Sequence, residues 1–221
     1  MIRNLLFDFG GVVIPLSPET AMERFEQLGV KDARQRLGAY GQQGIFRQAE
    51  DGSLDAEGFQ KALGQLVQEQ SGDARGAAPV FSFEQCRWAW TGYAKRVDPV
   101  RLQNLLRLKE QYTVLLLSNT NPFMMDWADS TAFSGDGHPV SYYFHKTYYS
   151  YKLKDYKPSA TIFQTVLDDA GLRAEETLFL DDGLKNVEAA RLVGLHALWV
   201  PADEDWMPLL QSELEKQTLH S

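Results

Sequence analysis

Cysteine is nearly absent from this chain. Cys86 is the only one in 221 residues, so no disulfide can close within the molecule, and a reducing compartment, the cytoplasm, is the expectation. No apolar run approaches the ~20 residues that a membrane-crossing helix needs, and the first residues show no charged-then-apolar leader. Internal repeats and long low-complexity tracts are also missing, which sets aside solenoid and linker architectures. Positive charge is in deficit: 22 Lys and Arg stand against 30 Asp and Glu, a formal net charge of −8. That balance argues against a general nucleic-acid binder and against a surface that seeks anionic membrane. It leaves room for a small anionic substrate, because a bound metal ion and a single lysine can set the local field.

What is present is enough for a large packed core. Hydrophobic residues make up 44% of the chain and aromatic residues 12%, and the length suits one large domain or a core domain carrying an insertion. The chain is organised around its first apolar run. Leu5 to Phe7 end in Asp8, and Gly10 and Gly11 follow at once. A short apolar run that stops at a turn is the pattern of a buried parallel strand. The C-terminal ends of such strands face the ligand crevice of an open α/β sheet.

Helical periodicity then takes over. Ser17 and Pro18 read as an N-cap and first-turn proline, with Met22, Phe25 and Leu28 on one face and Gly29 as the stop. Loops are expected around Gly38, Gly41 and Gly44 and from Ser71 to Pro79, with a turn at Asp51-Gly52-Ser53. Asp55 caps a helix bearing Phe59, Leu63, Leu66 and Val67, and a further helix is expected from about Phe83 to Lys95. After Asp98-Pro99 the pattern alternates. A helix carries Leu102, Leu105 and Leu106, and Thr113 to Leu117 form a strand ending at Ser118. A helix starts near Pro122, a loop runs from Ser130 to Ser141, and Tyr142 to Tyr149 are β-prone. Ser159 to Ala170 and Val187 to Val193 read as helices, Thr177 to Leu180 and Leu195 to Val200 as strands, and the tail from about Trp206 as helix. The expected fold is therefore α/β: a Rossmann-like parallel sheet core, residues 1–15 and 97–221, with an inserted helical cap, residues 16–96, over the C-terminal edge of the sheet.

Four candidate groups fall on strand or helix edges: Asp8, Ser118, Lys157 before a helix, and the pair Asp181 and Asp182 with Asn186 shortly after. Taken singly, each has an ordinary structural explanation as a turn residue, a cap or a solvated lysine, and Lys152 and Lys154 compete with Lys157. Together and in this order they form a pattern. Asp8-Phe9-Gly10-Gly11-Val12, Ser118-Asn119, Lys157-Pro158 and Asp181-Asp182 with Asn186 resemble the four motifs of the haloacid dehalogenase (HAD) superfamily of phosphatases, in the subclass with a helical cap. Asp51-Gly52-Ser53, Phe59, Trp90 and Leu117-Ser118-Asn119-Thr120-Asn121 further resemble the branch that includes bacterial α-D-glucose-1-phosphate phosphatase.

The resemblance implies a phosphatase acting on a small phosphorylated metabolite, with Mg²⁺ as cofactor and an aspartyl-phosphate formed on Asp8. It implies Asp8, the Gly10 carbonyl and Asp182 as metal ligands, Asp181 and Asn186 behind them, and Ser118, Asn119 and Lys157 as the phosphate-binding set, with Ser118 and Lys157 also catalytic. Most members carry a second Asp two residues after the nucleophile to protonate the leaving group, and here that position is Gly10. The loss favours substrates with better leaving groups, such as anomeric sugar phosphates and acyl phosphates. The alternatives are a binding module that kept the site without useful turnover, and hydrolysis of a carbon–halogen bond, which the paired acids Asp181 and Asp182 disfavour. Arg47, Glu50, Trp88, Trp90 and Tyr93 are candidate sugar contacts, but the expectation for each is a structural role, the aromatics as core and the charges as solvated surface, and His145 is expected to be structural or exposed.

Overall fold

Strand β1, Asn4–Phe7, is buried at every position. It sits in the middle of a five-stranded sheet with order β3-β2-β1-β4-β5, formed with β2 (Thr113–Ser118), β3 (Lys146–Tyr149), β4 (Thr177–Asp181) and β5 (His196–Trp199). Every pairing is parallel; Leu6 lies opposite Leu115 on one side and Phe179 on the other. This computed structural model describes residues 1–38, 41–72 and 76–219. Helices fill the connections: α1 (Pro18–Gln27), α2 (Ala33–Arg36), α3 (Ile45–Glu50), α4 (Ala56–Ser71), α5 (Phe83–Trp90), α6 (Pro99–Lys109), α7 (Pro122–Ala128), α8 (Ser150–Leu153), α9 (Ala160–Ala170), α10 (Leu184–Leu192) and α11 (Trp206–Leu219). This is the expected α/β, Rossmann-like sheet with a helical insertion after its first strand.

The period-two alternation of the strands divides the core between two faces. Leu6, Leu115, Leu117 and Phe179 pack against Ile162, Phe163, Val166 and Leu167 of α9. Leu5, Phe7, Val114, Leu116 and Leu180 face the other way, with Leu102 and Leu105 of α6 and Trp206 and Leu210 of α11. That second core continues into the inserted helices, where Phe25, Phe46, Phe59 and Trp90 form a cluster of mostly edge-to-face rings. Phe59 also meets Phe123 of α7 at 5.3 Å between ring centroids, which joins the insertion to the sheet side of the molecule.

The chain enters and leaves the insertion side by side. Ser17 N–H donates to the Tyr93 carbonyl (2.7 Å) and Lys95 N–H to the Pro15 carbonyl (3.0 Å). Asp203 ties both crossings to the core, accepting from Leu16 N–H (3.0 Å) and pairing with Lys95 (2.8 Å).

Several local expectations are corrected. The β-prone stretch from Tyr142 is strand only from Lys146, because Val140–Tyr143 turn as a short 3₁₀ helix and the Tyr143 hydroxyl is held by Asp136 at 2.8 Å. The helix from Phe83 ends at Trp90 and gives way to a 3₁₀ turn, Thr91–Tyr93, whose Gly92 packs directly on the Ala21 backbone. The Ser17 hydroxyl bonds the Thr20 hydroxyl (2.8 Å) instead of capping the backbone, whereas Asp55 does cap, accepting from Gly58 N–H at 2.7 Å. The helix expected from Val187 begins earlier, at Leu184. The expected glycine loops lie partly outside the described residues, at 39–40 and 73–75.

The ring cluster makes Phe59 the side chain on which docking of the insertion most depends. Phe59→Ala should destabilise the protein by roughly 3–5 kcal/mol, the usual cost of emptying a buried aromatic site. Urea unfolding followed by tryptophan fluorescence reads this directly.

Candidate active site

The strand order reverses between β1 and β4, and an open α/β sheet places its crevice at such a point. Asp8 follows β1 directly and continues the ladder, its N–H donating to the Leu180 carbonyl (2.8 Å). Asp181 ends β4 and Asp182 follows it. The two parallel strands therefore deliver three carboxylates to one spot, where one oxygen from each lies within 4.8 Å of the others.

Lys157 closes the group. Its ammonium, with a side chain 1% exposed, sits 2.6 Å from Asp8 Oδ1 and 2.7 Å from Asp181 Oδ2. Burial works against the lysine charge, but the Asp181 and Asp8 carboxylates outweigh it and hold the group above its ordinary value. The competing lysines stand elsewhere: Lys152 lies over the rings of Tyr149 and Tyr151, and Lys154 ends α8 in the left-handed region.

The backbone of Lys157 is fixed by Asn119, whose side-chain amide donates to the Lys157 carbonyl and whose Oδ1 accepts the Lys157 N–H, both at 2.9 Å. This reciprocal pair couples the end of β2 to the lysine loop, a use of the Asn119 side chain that sequence reading missed. Ser118, buried, ends β2 beside it.

Asp181 is fully engaged. Lys157 takes Oδ2, while Oδ1 accepts from Gly183 N–H (2.7 Å) and from the Asn186 side chain (2.9 Å). A cleft of about 670 Å³ opens over the group, lined by Asp8, Gly10, Ser118, Asn119, Lys157, Asp182 and Asn186 but not by Asp181. The sheet thus brings together the four candidate groups at the strand and helix edges. It does not bring Trp88 or Trp90 there: Trp88 is a surface partner of Arg24 and Trp90 is core. Arg47, Glu50 and Tyr93 do line the cleft. His145 lies at the opposite end of the sheet, where its Nδ1 accepts from Val114 N–H at 3.0 Å.

Gly11 is the other residue whose role emerges only in three dimensions. Its φ is +76°, and a β-carbon there would overlap Asp182 Oδ2. The second glycine therefore admits a carboxylate from β4 against the β1 loop. Gly10 differs: a β-carbon there would meet Leu16 Cδ1 at 3.0 Å, so Leu16 occupies the neighbouring space. Arg101, buried, holds the loop by donating to the Val12 carbonyl (2.6 Å) and the Glu204 carbonyl (2.8 Å). No signal in the sequence marks that arginine, which sits on the core face of an ordinary amphipathic helix.

The donor set suits a hard divalent cation. Burial pushes the Asp8 carboxyl upward, Lys157 pulls it down, and Asp181 and Asp182 push it up again. Three carboxyls crowded around one ammonium resist full ionisation, a cost that an oxygen-preferring cation such as Mg²⁺ would offset. Asp8, Asp181 and Asp182 each bring a carboxylate oxygen to the spot where such a cation could be held, and of these Asp8 and Asp182 line the cleft.

A profile of haloacid dehalogenase-like hydrolases matches residues 2–194. The chain belongs to the haloacid dehalogenase-like hydrolase family. It is 39% identical over 206 residues, 93% of this chain and 95% of the relative, to D-ribitol-5-phosphate phosphatase of Bacteroides thetaiotaomicron. Its structure is similar to that of a HAD-like family hydrolase from Porphyromonas gingivalis, with a TM-score of 0.87, 33% identity, and 97% and 98% of the two chains covered. It is also similar to a HAD family enzyme from Bacteroides thetaiotaomicron in complex with magnesium and inorganic phosphate, with a TM-score of 0.79, 34% identity, and 95% and 99% covered.

Gly11→Ala should displace the Asp182 carboxylate and weaken Mg²⁺ binding by roughly 10–100-fold, the usual effect of disturbing the support of a metal ligand. Calorimetric Mg²⁺ titration of both proteins measures it.

Proposed function

We propose that this protein is a Mg²⁺-dependent phosphatase of a small phosphorylated metabolite, a sugar or polyol phosphate, working through an aspartyl-phosphate on Asp8. The observation that carries the reading is the buried Lys157 ammonium shared by Asp8 and Asp181 at the floor of the cleft. The reading is supported by a curated relative that is a sugar-alcohol phosphate phosphatase and a structural relative that holds magnesium and phosphate.

In this scheme the Asp8 carboxylate attacks phosphorus in line and the leaving-group oxygen departs toward the cleft. Water then opens the acyl phosphate. Lys157 neutralises charge on Asp8 and on the phosphoryl oxygens, while the Ser118 hydroxyl and the Asn119 backbone N–H donate to those oxygens. Mg²⁺, held by Asp8, the Gly10 carbonyl and Asp182, supplies charge neutralisation between two anions that must touch. Asp181 and Asn186 position Lys157 and the turn that carries Asp182. Residues 16–96 act as the cap, roofing the cleft with Gln42, Arg47, Glu50 and Tyr93.

The binding-module alternative is disfavoured by the complete set of charged groups converging on one cleft. The substrate expectation from Gly10 is widened. A ribitol 5-phosphate is a monoester of a primary alcohol, so a relative with this degree of identity handles a poor leaving group, and anomeric phosphates are no longer the favoured class.

Phosphate release should be Mg²⁺-dependent across a panel of pentose, hexose and polyol phosphates that includes α-D-glucose 1-phosphate. It should disappear in Asp8→Asn, which keeps the shape of the side chain but not its nucleophile. Unchanged turnover in that variant would sink the aspartyl-phosphate route, and a preference for acyl phosphates alone would sink the sugar-phosphate reading.

A further inference from the structure

An alkyl phosphate needs a proton on its leaving oxygen, and the β1 loop offers none. Gly10 has no side chain, and the space beside it is filled by Leu16. Only three carboxylic acids line the cleft among the described residues, Asp8, Asp182 and Glu50, and burial pushes the hydroxyls of Tyr93 and Tyr156 there upward, away from ready proton release. The first two belong to the nucleophile and metal set, which leaves Glu50.

Glu50 ends α3 in the inserted segment, yet it is anchored to the sheet. Its carbonyl accepts from the Ser150 hydroxyl (2.6 Å), and that hydroxyl in turn accepts the Thr120 N–H (2.9 Å), two residues after Ser118. The Glu50 carboxyl is buried and faces the Tyr156 hydroxyl, which also interacts with the Asn119 side chain. Tyr156 therefore links Glu50 to Asn119 beside the strand end expected to hold phosphate, and Glu50 and Tyr156 both line the cleft. The Arg47 guanidinium lies over the Tyr156 ring at 3.6 Å and closes the same corner.

We propose that Glu50 is the proton donor to the leaving-group oxygen, supplying from the inserted helices the acid that Gly10 cannot. The inference rests on the phosphatase reading above. As the Asp8 oxygen–phosphorus bond forms, the bond from phosphorus to the leaving oxygen breaks and the Glu50 proton passes to that oxygen, so an alcohol departs and Glu50 becomes a carboxylate. In the second half, water adds to phosphorus as the Asp8 oxygen–phosphorus bond breaks. Glu50 takes the water proton and is reset.

Burial supports this role by pushing the Glu50 carboxyl up to about 8, against the opposing pull of Tyr156 and Arg47, so that it carries its proton at neutral pH. The charged and titratable groups facing it are Arg47 and Asp51 from its own helix and the turn beyond, Tyr93 from the 3₁₀ turn, and Tyr156 from the loop before Lys157.

The test compares kcat/KM with Mg²⁺ for wild type and Glu50→Gln on two esters: the best primary alkyl phosphate of the panel and p-nitrophenyl phosphate, whose phenolate leaves without a proton. This ratio reports steps up to the phosphorylation of Asp8, so reset of Glu50 does not enter. We expect a loss of roughly 10²–10⁴-fold on the alkyl ester and little change on the aryl ester. Equal losses on both would overturn the proposal and make Glu50 a positioning residue. Wild-type pH profiles test the same point without a variant. The ratio of alkyl-ester to aryl-ester kcat/KM should fall as pH rises through about 8, because titration of Asp8 is common to both esters and cancels, and a ratio that stays constant there would overturn it. Absence of Mg²⁺-dependent turnover on every ester by the wild type would overturn the phosphatase reading itself, and this inference with it.

Discussion

The site depends on one buried charge. An ammonium that is 1% exposed is tolerable only with carboxylates in contact, and the partners of Lys157 come from two neighbouring strands. Asp8 must leave β1 and Asp181 must end β4 at the same height, which the parallel register between those strands secures. Removing one partner from such an arrangement typically costs about 3–5 kcal/mol because the remaining charge is left uncompensated. The same grouping crowds three carboxyls around one lysine, so that their full ionisation calls for further positive charge. The constraint that holds the strand ends together is thus also what makes the cleft suited to a cation and a phosphoryl group.

Around that pair the loops are shaped by close approach. Gly11 exists as glycine so that Asp182 can stand against the β1 loop, and Asn119 spends both ends of its amide on the lysine backbone. Arg101 and Asp203 tie the loop after Gly11 to the chain beyond β5, and Asp203 also grips both crossings into the helical insertion. The insertion is therefore coupled to the floor of the site at its two chain crossings, at the Phe59–Phe123 contact and at the Ser150 bridge between Glu50 and Thr120. Its arrangement makes the composition of the cleft a property of both parts of the molecule.

The parts of the fold that were legible in advance were those governed by local pattern. Apolar runs ending in Asp8, Ser118 and Asp181 marked β1, β2 and β4, because a strand buried on both faces has a distinctive composition. Asp55 and Asp98 announced helix starts that the backbone confirms with cap bonds. The stretch from Tyr142 misled, since aromatic β-propensity describes a half-buried surface and not a backbone state, and here the turn held by Tyr143 and Asp136 prevailed. The end of the helix at Trp90 was equally hidden, being set by contact of Gly92 with a distant helix.

By itself, then, the sequence determined the parallel sheet, the helical insertion after the first strand, and the identity of the charged residues at the strand ends, because each depends on neighbours within a few positions. Tertiary structure alone decided which lysine is buried, that Asn119 serves the lysine through its side chain, that Gly11 makes room for Asp182, that Leu16 fills the space beside Gly10, and that Glu50 is withdrawn from water into the cleft. Each of these is fixed by contacts between segments far apart in the chain. Desolvation and steric exclusion, which act through space, leave no local mark on the order of residues.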